Sequence, residues 1–334
     1  MGLGKKATLV DVAAAAGVSK MTASRALRGA ADVSKAKALK VRQAARDIGY
    51  VGNPLAASLS GQRSDLIGVV VPSLANIVFA DVLAGVADGI GDSGKQPVFG
   101  VTDYDEDKEY DVIRNMLSWN PVGLIVTGLD QPARTRALLA GADIPIVQIM
   151  DVDGDPIDSC VGFSNHMAGD SMANALVQAG CKRFAYVGCG LDRDTRAWKR
   201  LIGFEAGLNR AGLSFAVRRI DAGHSTASTG KALTALVMAE DPDIDCIYYS
   251  NDDLAVGGAF HCMANDILVP RRVTLAGFNG LDLVDALPVN IATSRTPRRE
   301  IGKTAAEIVL NSAADHGGPR KTQFDCLPQI SSKT

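Results

Sequence analysis

Residues 8–28 read TLVDVAAAAGVSKMTASRALR, and the fold of the chain's beginning is decided there. Thr8, with Asp11 three positions on, has the form of a helix cap, and Leu9, Val12, Ala13 and Ala16 repeat at the spacing of one helical face. Gly17 breaks that helix, Val18 supplies an apolar contact, and Ser19 can cap a second helix whose Ala23, Ala26 and Leu27 pack on the first. Two short helices joined in this way make a helix-turn-helix. Its outer face keeps Lys20, Met21, Thr22, Ser24 and Arg25, whose size and chemistry suit the major groove of a duplex. Taken alone, the stretch also fits a surface helical hairpin.

Working outward, residues 28–32 read as a loop. Ser34 caps a third helix with Leu39, Val41, Ala45 and Ile48 facing inward, and Gly49 ends it. So small a core needs a partner, either a second copy or DNA, to hold its geometry. In residues 50–61, YVGNPLAASLSG, Asn53 is a cap, Pro54 suits the first helical position and Gly61 stops the chain. A helix this short is unstable alone in water. It can form where two copies pair on DNA, with Leu59 wedged between base steps in the minor groove. A plain linker is the alternative, and the proline-capped apolar turn speaks against it.

The net charge of -2 hides an asymmetry. Residues 1–63 carry eleven Lys and Arg against three Asp, a charge of +8, while the remainder carries 24 basic and 34 acidic residues, a charge of -10. A basic head on an acidic body points to a polyanion partner for the head alone.

The stretches TLVDVAAAAGVSKMTASRALRG, VS and IGYVGNPLAASLSG resemble the DNA-binding head and hinge helix of the lactose-repressor (LacI/GalR) family of bacterial transcription regulators. The resemblance implies base reading by Lys20, Met21 and Arg25, phosphate contacts by Thr8, Ser19, Thr22, Ser34 and Asn53, and a minor-groove wedge at Leu59. Gly52 stands where many members carry proline, which loosens the hinge entry.

From Leu66 the pattern changes to apolar runs at 66–71, 98–101, 122–127, 146–150, 184–187, 246–249 and 273–276, separated by helical stretches. Such alternation predicts parallel sheets covered on both faces, and its length fits two lobes meeting at a cleft. Ligands bind such sheets beyond the carboxyl ends of their strands. Ser73, Asn76, Phe79, Asp151, Arg196, Arg200, Asn251, Asn279 and Arg298 occupy those places and offer the donors, acceptors and aromatic plate that a polyhydroxylated ligand needs. Each also has a structural reading as a cap or satisfied loop, and Arg298 with Arg295 and Arg299 can form a solvated basic face.

The body resembles the same family's effector domain, built like a sugar-binding periplasmic protein. Stretches such as VVPSLANIVFADVLAGV, SNDDLAVGGAF, AGFNG and TPRREIG are most similar to the gluconate-operon repressor branch. Asn279 stands where many sugar-binding members carry aspartate. Losing that charge removes a repulsion of roughly 1 to 4 kcal/mol for an anion at ~4 Å. With Arg200 and Arg298 available for carboxylates, a sugar acid such as gluconate or a keto-gluconate is favoured, with a neutral sugar as the alternative.

Catalysis finds little support. The four histidines at 166, 224, 261 and 316 have no metal-ligand spacing, and nucleophile-elbow, phosphate-loop and dinucleotide motifs are missing from the sequence. Asp252-Asp253 reads as a helix cap. The six cysteines have neither metal spacing nor the density of a disulfide scaffold, and no apolar run is long enough to span a bilayer. The expectation is therefore a cytoplasmic α/β protein without cofactor or metal. Residues 1–52 form a helix-turn-helix head, 53–63 a hinge helix and linker, and 64–334 a two-lobed effector and dimerisation domain. It acts as a homodimeric repressor on near-palindromic operator DNA, by induction or corepression. No leucine heptad follows the body, which argues for a dimer and not a tetramer.

Overall fold

A computed structural model describes residues 7–27, 30, 32–51, 63–312 and 320–330. Asn53 and Leu59 lie outside them, as does nearly all of the expected hinge helix. The chain divides into two compact units, Met1–Ser64 and Asp65–Thr334.

In the first unit, α1 (Leu9–Ala16) opens on a capping box in which the Thr8 hydroxyl accepts from the Asp11 N–H and the Asp11 carboxylate accepts from the Thr8 N–H at 2.7 Å. Gly17 closes it in the left-handed region at φ 64°. The Ser19 hydroxyl accepts from the Thr22 N–H at 3.1 Å and caps α2 (Lys20–Leu27). Val12, Ala13, Ala16, Ala23 and Ala26 are buried together with Val41, Ala44 and Ala45 of α3 (Lys35–Asp47). Small side chains let the three helices pack closely. Two expectations for α3 need correction. Leu39 is 65% exposed, because the inward face runs through 41, 44, 45 and 48 and position 39 falls off it. Ser34 stands at the N-cap but makes no side-chain capping bond.

The second unit contains two parallel sheets. Sheet one comprises β1 (Leu66–Val71), β2 (Gln96–Val101), β3 (Gly123–Thr127), β4 (Ile146–Ile149), β5 (Ser159–Gly162) and β11 (Arg320–Gln323), in the order β11-β5-β4-β3-β1-β2. Its faces are covered by α4 (Ile77–Ile90) with α12 (Arg298–Asn311), and by α5 (Glu106–Ser118) with α6 (Ala133–Ala140). Sheet two has the order β7-β6-β8-β9, from β6 (Phe184–Cys189), β7 (Phe215–Asp221), β8 (Cys246–Tyr249) and β9 (Thr274–Ala276). It lies between α7 (Asn165–Gln178) with α8 (Thr195–Arg210) and α9 (Ala227–Glu240) with α10 (Asp252–Ala264). The short α11 (Asp282–Asp285) follows β9, and β10 (Thr293–Ser294) pairs antiparallel with β12 (Pro328–Gln329).

The chain passes between the lobes after β5, between β10 and α12, and between β11 and β12. Where α7 meets α8, a Cβ on Gly169 would stand 2.0 Å from the Arg200 carbonyl oxygen, so only glycine allows this approach. Arg200 is thereby seated against the crossover into the second lobe. All six cysteines are free and buried, and among the described residues no helix is long and apolar enough to cross a membrane.

Candidate functional site: an interlobe cleft and a helix-turn-helix face

The carboxyl ends of strands from both sheets converge on one cavity of about 570 Å³. Parallel strands make this unavoidable, since all ends of one kind emerge on the same side of each sheet. Ser73, Asn76 and Phe79 follow β1, Arg196 and Arg200 lie on α8 after β6, Asn251 follows β8 and Asn279 follows β9, and all seven line the cavity. Asp103 and Tyr104 after β2, Arg193 and Asp194 after β6, and His224, Ser225 and Thr226 after β7 line it too, although sequence reading did not single them out.

Asp151 and Arg298 do not line the cavity, contrary to expectation. Asp151 is fully buried at the end of β4, where it accepts from Lys199 Nζ at 2.6 Å and from Asn165 Nδ2 at 3.2 Å. Burial pushes its carboxyl up, against the pull of Lys199. Lys199, on the second lobe, also pairs with Asp130 of the first at 2.7 Å, so it ties the two lobes together. Arg298 is held by Asp81 of α4 at 2.8 Å and donates to the carbonyl oxygen of Asn279 and, at 3.0 Å, to Thr296 Oγ1. Both residues position the cleft wall from behind.

Arg200 is 7% exposed. Its Nη1 donates to Asn165 Oδ1 at 2.8 Å, its Nη2 donates to the Ser250 carbonyl at 3.1 Å, and its guanidinium lies 4.1 Å above the Phe278 ring. Its Nε is buried without a hydrogen-bond partner, and among the described residues no carboxylate pairs with it. Arg196 lies 5.7 Å from the Phe79 ring of the opposite lobe and 3.4 Å from Asp194. Burial works against the Asp194 carboxylate, but Arg196 and Arg200 hold its pKa below the ordinary value. Burial, followed by the charge of Asp194, pushes the Tyr104 hydroxyl up to about 12, so it stays a neutral donor.

The amides have fixed polarity. Asn76 Oδ1 accepts from the Val78 N–H and Asn251 Oδ1 accepts from the Leu254 N–H, both at 3.1 Å. Asn251 keeps its NH2 for a ligand, and Asn76, whose NH2 also meets the Tyr104 hydroxyl, keeps one of its two N–H groups, so capping and binding are compatible. Asp103, Tyr104, Met150 and Asn279 all hold positive φ and all line the cavity. Such backbone is costly for non-glycine residues and tends to collect at binding sites.

In the head, Lys20 and Arg25 are exposed and Met21 is 70% exposed, all on α2, while Thr22 is partly turned towards Ser19 at 2.9 Å between hydroxyls. Arg25 pairs with Asp32 of the following loop at 2.5 Å. Lys35, Lys37, Lys40, Arg42 and Arg46 stand exposed on α3. This surface can attract phosphates generally and read bases locally.

Comparison with known proteins agrees for both units. Residues 8–53 match the family described as "Bacterial regulatory proteins, lacI family", and residues 64–328 match "Periplasmic binding proteins and sugar binding domain of LacI family". The chain is 38% identical over 304 residues to the HTH-type transcriptional regulator GntR of Pseudomonas aeruginosa, covering 91% of this chain and 88% of that protein. It is 37% identical to GntR of Escherichia coli K12, covering 92% of each. The crystal structure of a LacI-family transcriptional regulator from Silicibacter pomeroyi superimposes with a TM-score of 0.89 at 41% identity, over 98% of each chain. With an exposed reading helix on one unit and a ligand-sized cleft in the other, the chain belongs to the LacI family: it is a DNA-binding transcriptional regulator and not an enzyme.

Proposed function

We propose that the protein is a homodimeric repressor whose grip on operator DNA is released by a small sugar acid such as gluconate or a keto-gluconate. The observation that carries the effector class is Arg200. A cation this buried is costly, and Asp194, which it shares with Arg196, balances it only in part. A ligand carboxylate in the cavity that Arg200 lines completes the balance. Asn76 and Asn251 add donors, while Asp103 and Asp253 offer acceptors for hydroxyls. Similarity of the body to the gluconate-operon repressor branch points the same way. Ser73, Phe79, Arg196 and Asn279 complete the ligand contacts, with Asp151 and Arg298 holding the wall.

On the DNA, Lys20, Met21 and Arg25 read base edges, Thr8, Ser19, Thr22, Ser34 and Asn53 meet phosphates, and Leu59 wedges the minor groove. The division is head 1–52, hinge 53–63 and body 64–334, with the body dimerising in the cytoplasm. Effector binding changes the angle between the lobes, and the dimer passes this to the spacing of the hinges. A coupling of about 1–3 kcal/mol is enough to change occupancy. A thermal-shift series with gluconate, keto-gluconates, hexuronates and neutral sugars tests the effector class, because a ligand that binds the folded state raises Tm. Stabilisation by neutral sugars alone would overturn the sugar-acid assignment.

A further inference from the structure

We propose that Asp32 is a specificity-determining residue of the DNA-reading face, an inference that rests on Arg25 being a base contact. Asp32 holds the Nε–Nη2 edge of Arg25, so the guanidinium meets the groove with its Nη1–Nη2 end and selects guanine.

The local chain places the two residues together twice. The Arg25 carbonyl, in the last turn of α2, accepts from the Ala30 N–H at 3.0 Å, and the Ala30 carbonyl accepts from the Val33 N–H at 3.1 Å. The turn bearing Asp32 is thus closed on the backbone of Arg25 itself. The side chains then meet in a two-point contact, Nε donating to Oδ1 at 3.2 Å and Nη2 lying 2.5 Å from Oδ2. A guanidinium is planar, with one side edge and one end that can each make paired contacts. Once the side edge is held, the end remains, and two parallel N–H groups there match O6 and N7 of guanine.

Stability is a poor account of the pair. The side chains are 44% and 54% exposed, and pairs this exposed contribute little to folding. The carboxylate also lowers the general attraction of this face for phosphates, so for a protein selected on affinity alone it would be a defect. Both facts make sense if the pair exists to fix an orientation. An arginine held in advance loses less side-chain freedom on meeting its base, and a wrong base leaves the carboxylate beside a poorly matched groove edge.

The test uses the full chain and a half-site selected by the wild-type protein from a randomised duplex library. Arg25→Ala identifies the base pair that Arg25 reads, as the position whose preference disappears. Asp32→Ala is expected to keep Tm and far-UV circular dichroism, to reduce the preference at that same position roughly tenfold, and to leave binding to random-sequence duplex equal or stronger. Asp32→Asn, which keeps one acceptor and the turn-forming shape, is expected to fall between, and the double variant to be no less selective than Arg25→Ala alone. An unchanged preference at that position in Asp32→Ala and Asp32→Asn overturns the proposal. So does an equal loss at every position in both. If Arg25→Ala flattens no position, the base-reading assignment itself fails, a result distinct from the failure of Asp32.

Discussion

In the head, Lys20, Met21 and Arg25 stand exposed on one eight-residue helix, whereas in the body Arg196 and Arg200 sit among side chains from both lobes. The head displays its charge to solvent, and its neighbours in sequence are its neighbours in space. The cleft gathers residues from 73 to 279 and holds its cations by stacking on Phe79 and Phe278, by amide and carbonyl acceptors and by the Asp194 carboxylate. Screening by water weakens each head contact, so affinity there needs many of them and depends on salt. Exclusion of water strengthens each cleft contact, so a few suffice and each loss is large.

The largest expected effect is therefore in the cleft. Arg200→Met should weaken sugar-acid binding by about 3 kcal/mol, roughly two orders of magnitude in Kd, because it removes one side of a desolvated charge pair. The unliganded protein should lose stability as well, by about 1–3 kcal/mol, because Asn165 Oδ1 and the Ser250 carbonyl lose their donor and Asp194 loses one of the two cations that hold it. Calorimetric titration of the effector and the Tm without it check the two halves, and an Arg200→Met variant that binds the acid normally would remove Arg200 from the site. Next is Lys199→Met, which leaves the fully buried Asp151 without its cation. A loss of about 2 kcal/mol in denaturant unfolding is expected, somewhat below the usual cost of breaking a buried pair because Asp130 stays partly solvated.

The same contrast explains what the sequence revealed. The helix-turn-helix was legible because its signals are local: Thr8, Gly17 and Ser19 act on backbone within three or four residues. The cleft was legible where apolar runs betrayed strands and the rule about strand ends could be applied. It failed at β7, FAVRRID, an edge strand whose alternate residues are solvated, so no apolar run marks it and His224, Ser225 and Thr226 went unseen. Tyr104 was missed although β2 was found, because Asp103 and Tyr104 turn into the cavity through left-handed backbone that neither residue type announces. Asp151 and Arg298 stand at a strand end and a helix start, yet the partners that claim them, Lys199 and Asp81, lie 48 and 217 residues away.

In the head, Arg25→Ala should cost about 1–3 kcal/mol of discrimination at one base pair per half-site. Arg42→Ala, exposed on α3, should lower affinity for all duplexes alike and reduce the salt dependence by about one phosphate contact. Binding titrations at several salt concentrations on selected and random duplexes separate the two, and equal effects on preference would break the division between reading and positioning.

The smallest expected effect belongs to Glu109, beside the cleft on α5. Burial pushes its carboxyl up to about 7, against a hydrogen bond from Gln131 and the charge of Arg196. A carboxyl whose folded pKa is raised favours the folded state while protonated, so its contribution is present below about 4.5 and is lost as pH rises through 7. Glu109→Gln keeps the neutral form at every pH. The Tm of the wild type relative to this variant should therefore fall between about pH 4.5 and 7 and stay level outside that window. A constant difference across that range would mean that Glu109, which is partly exposed, is solvated well enough to ionise near its ordinary pKa.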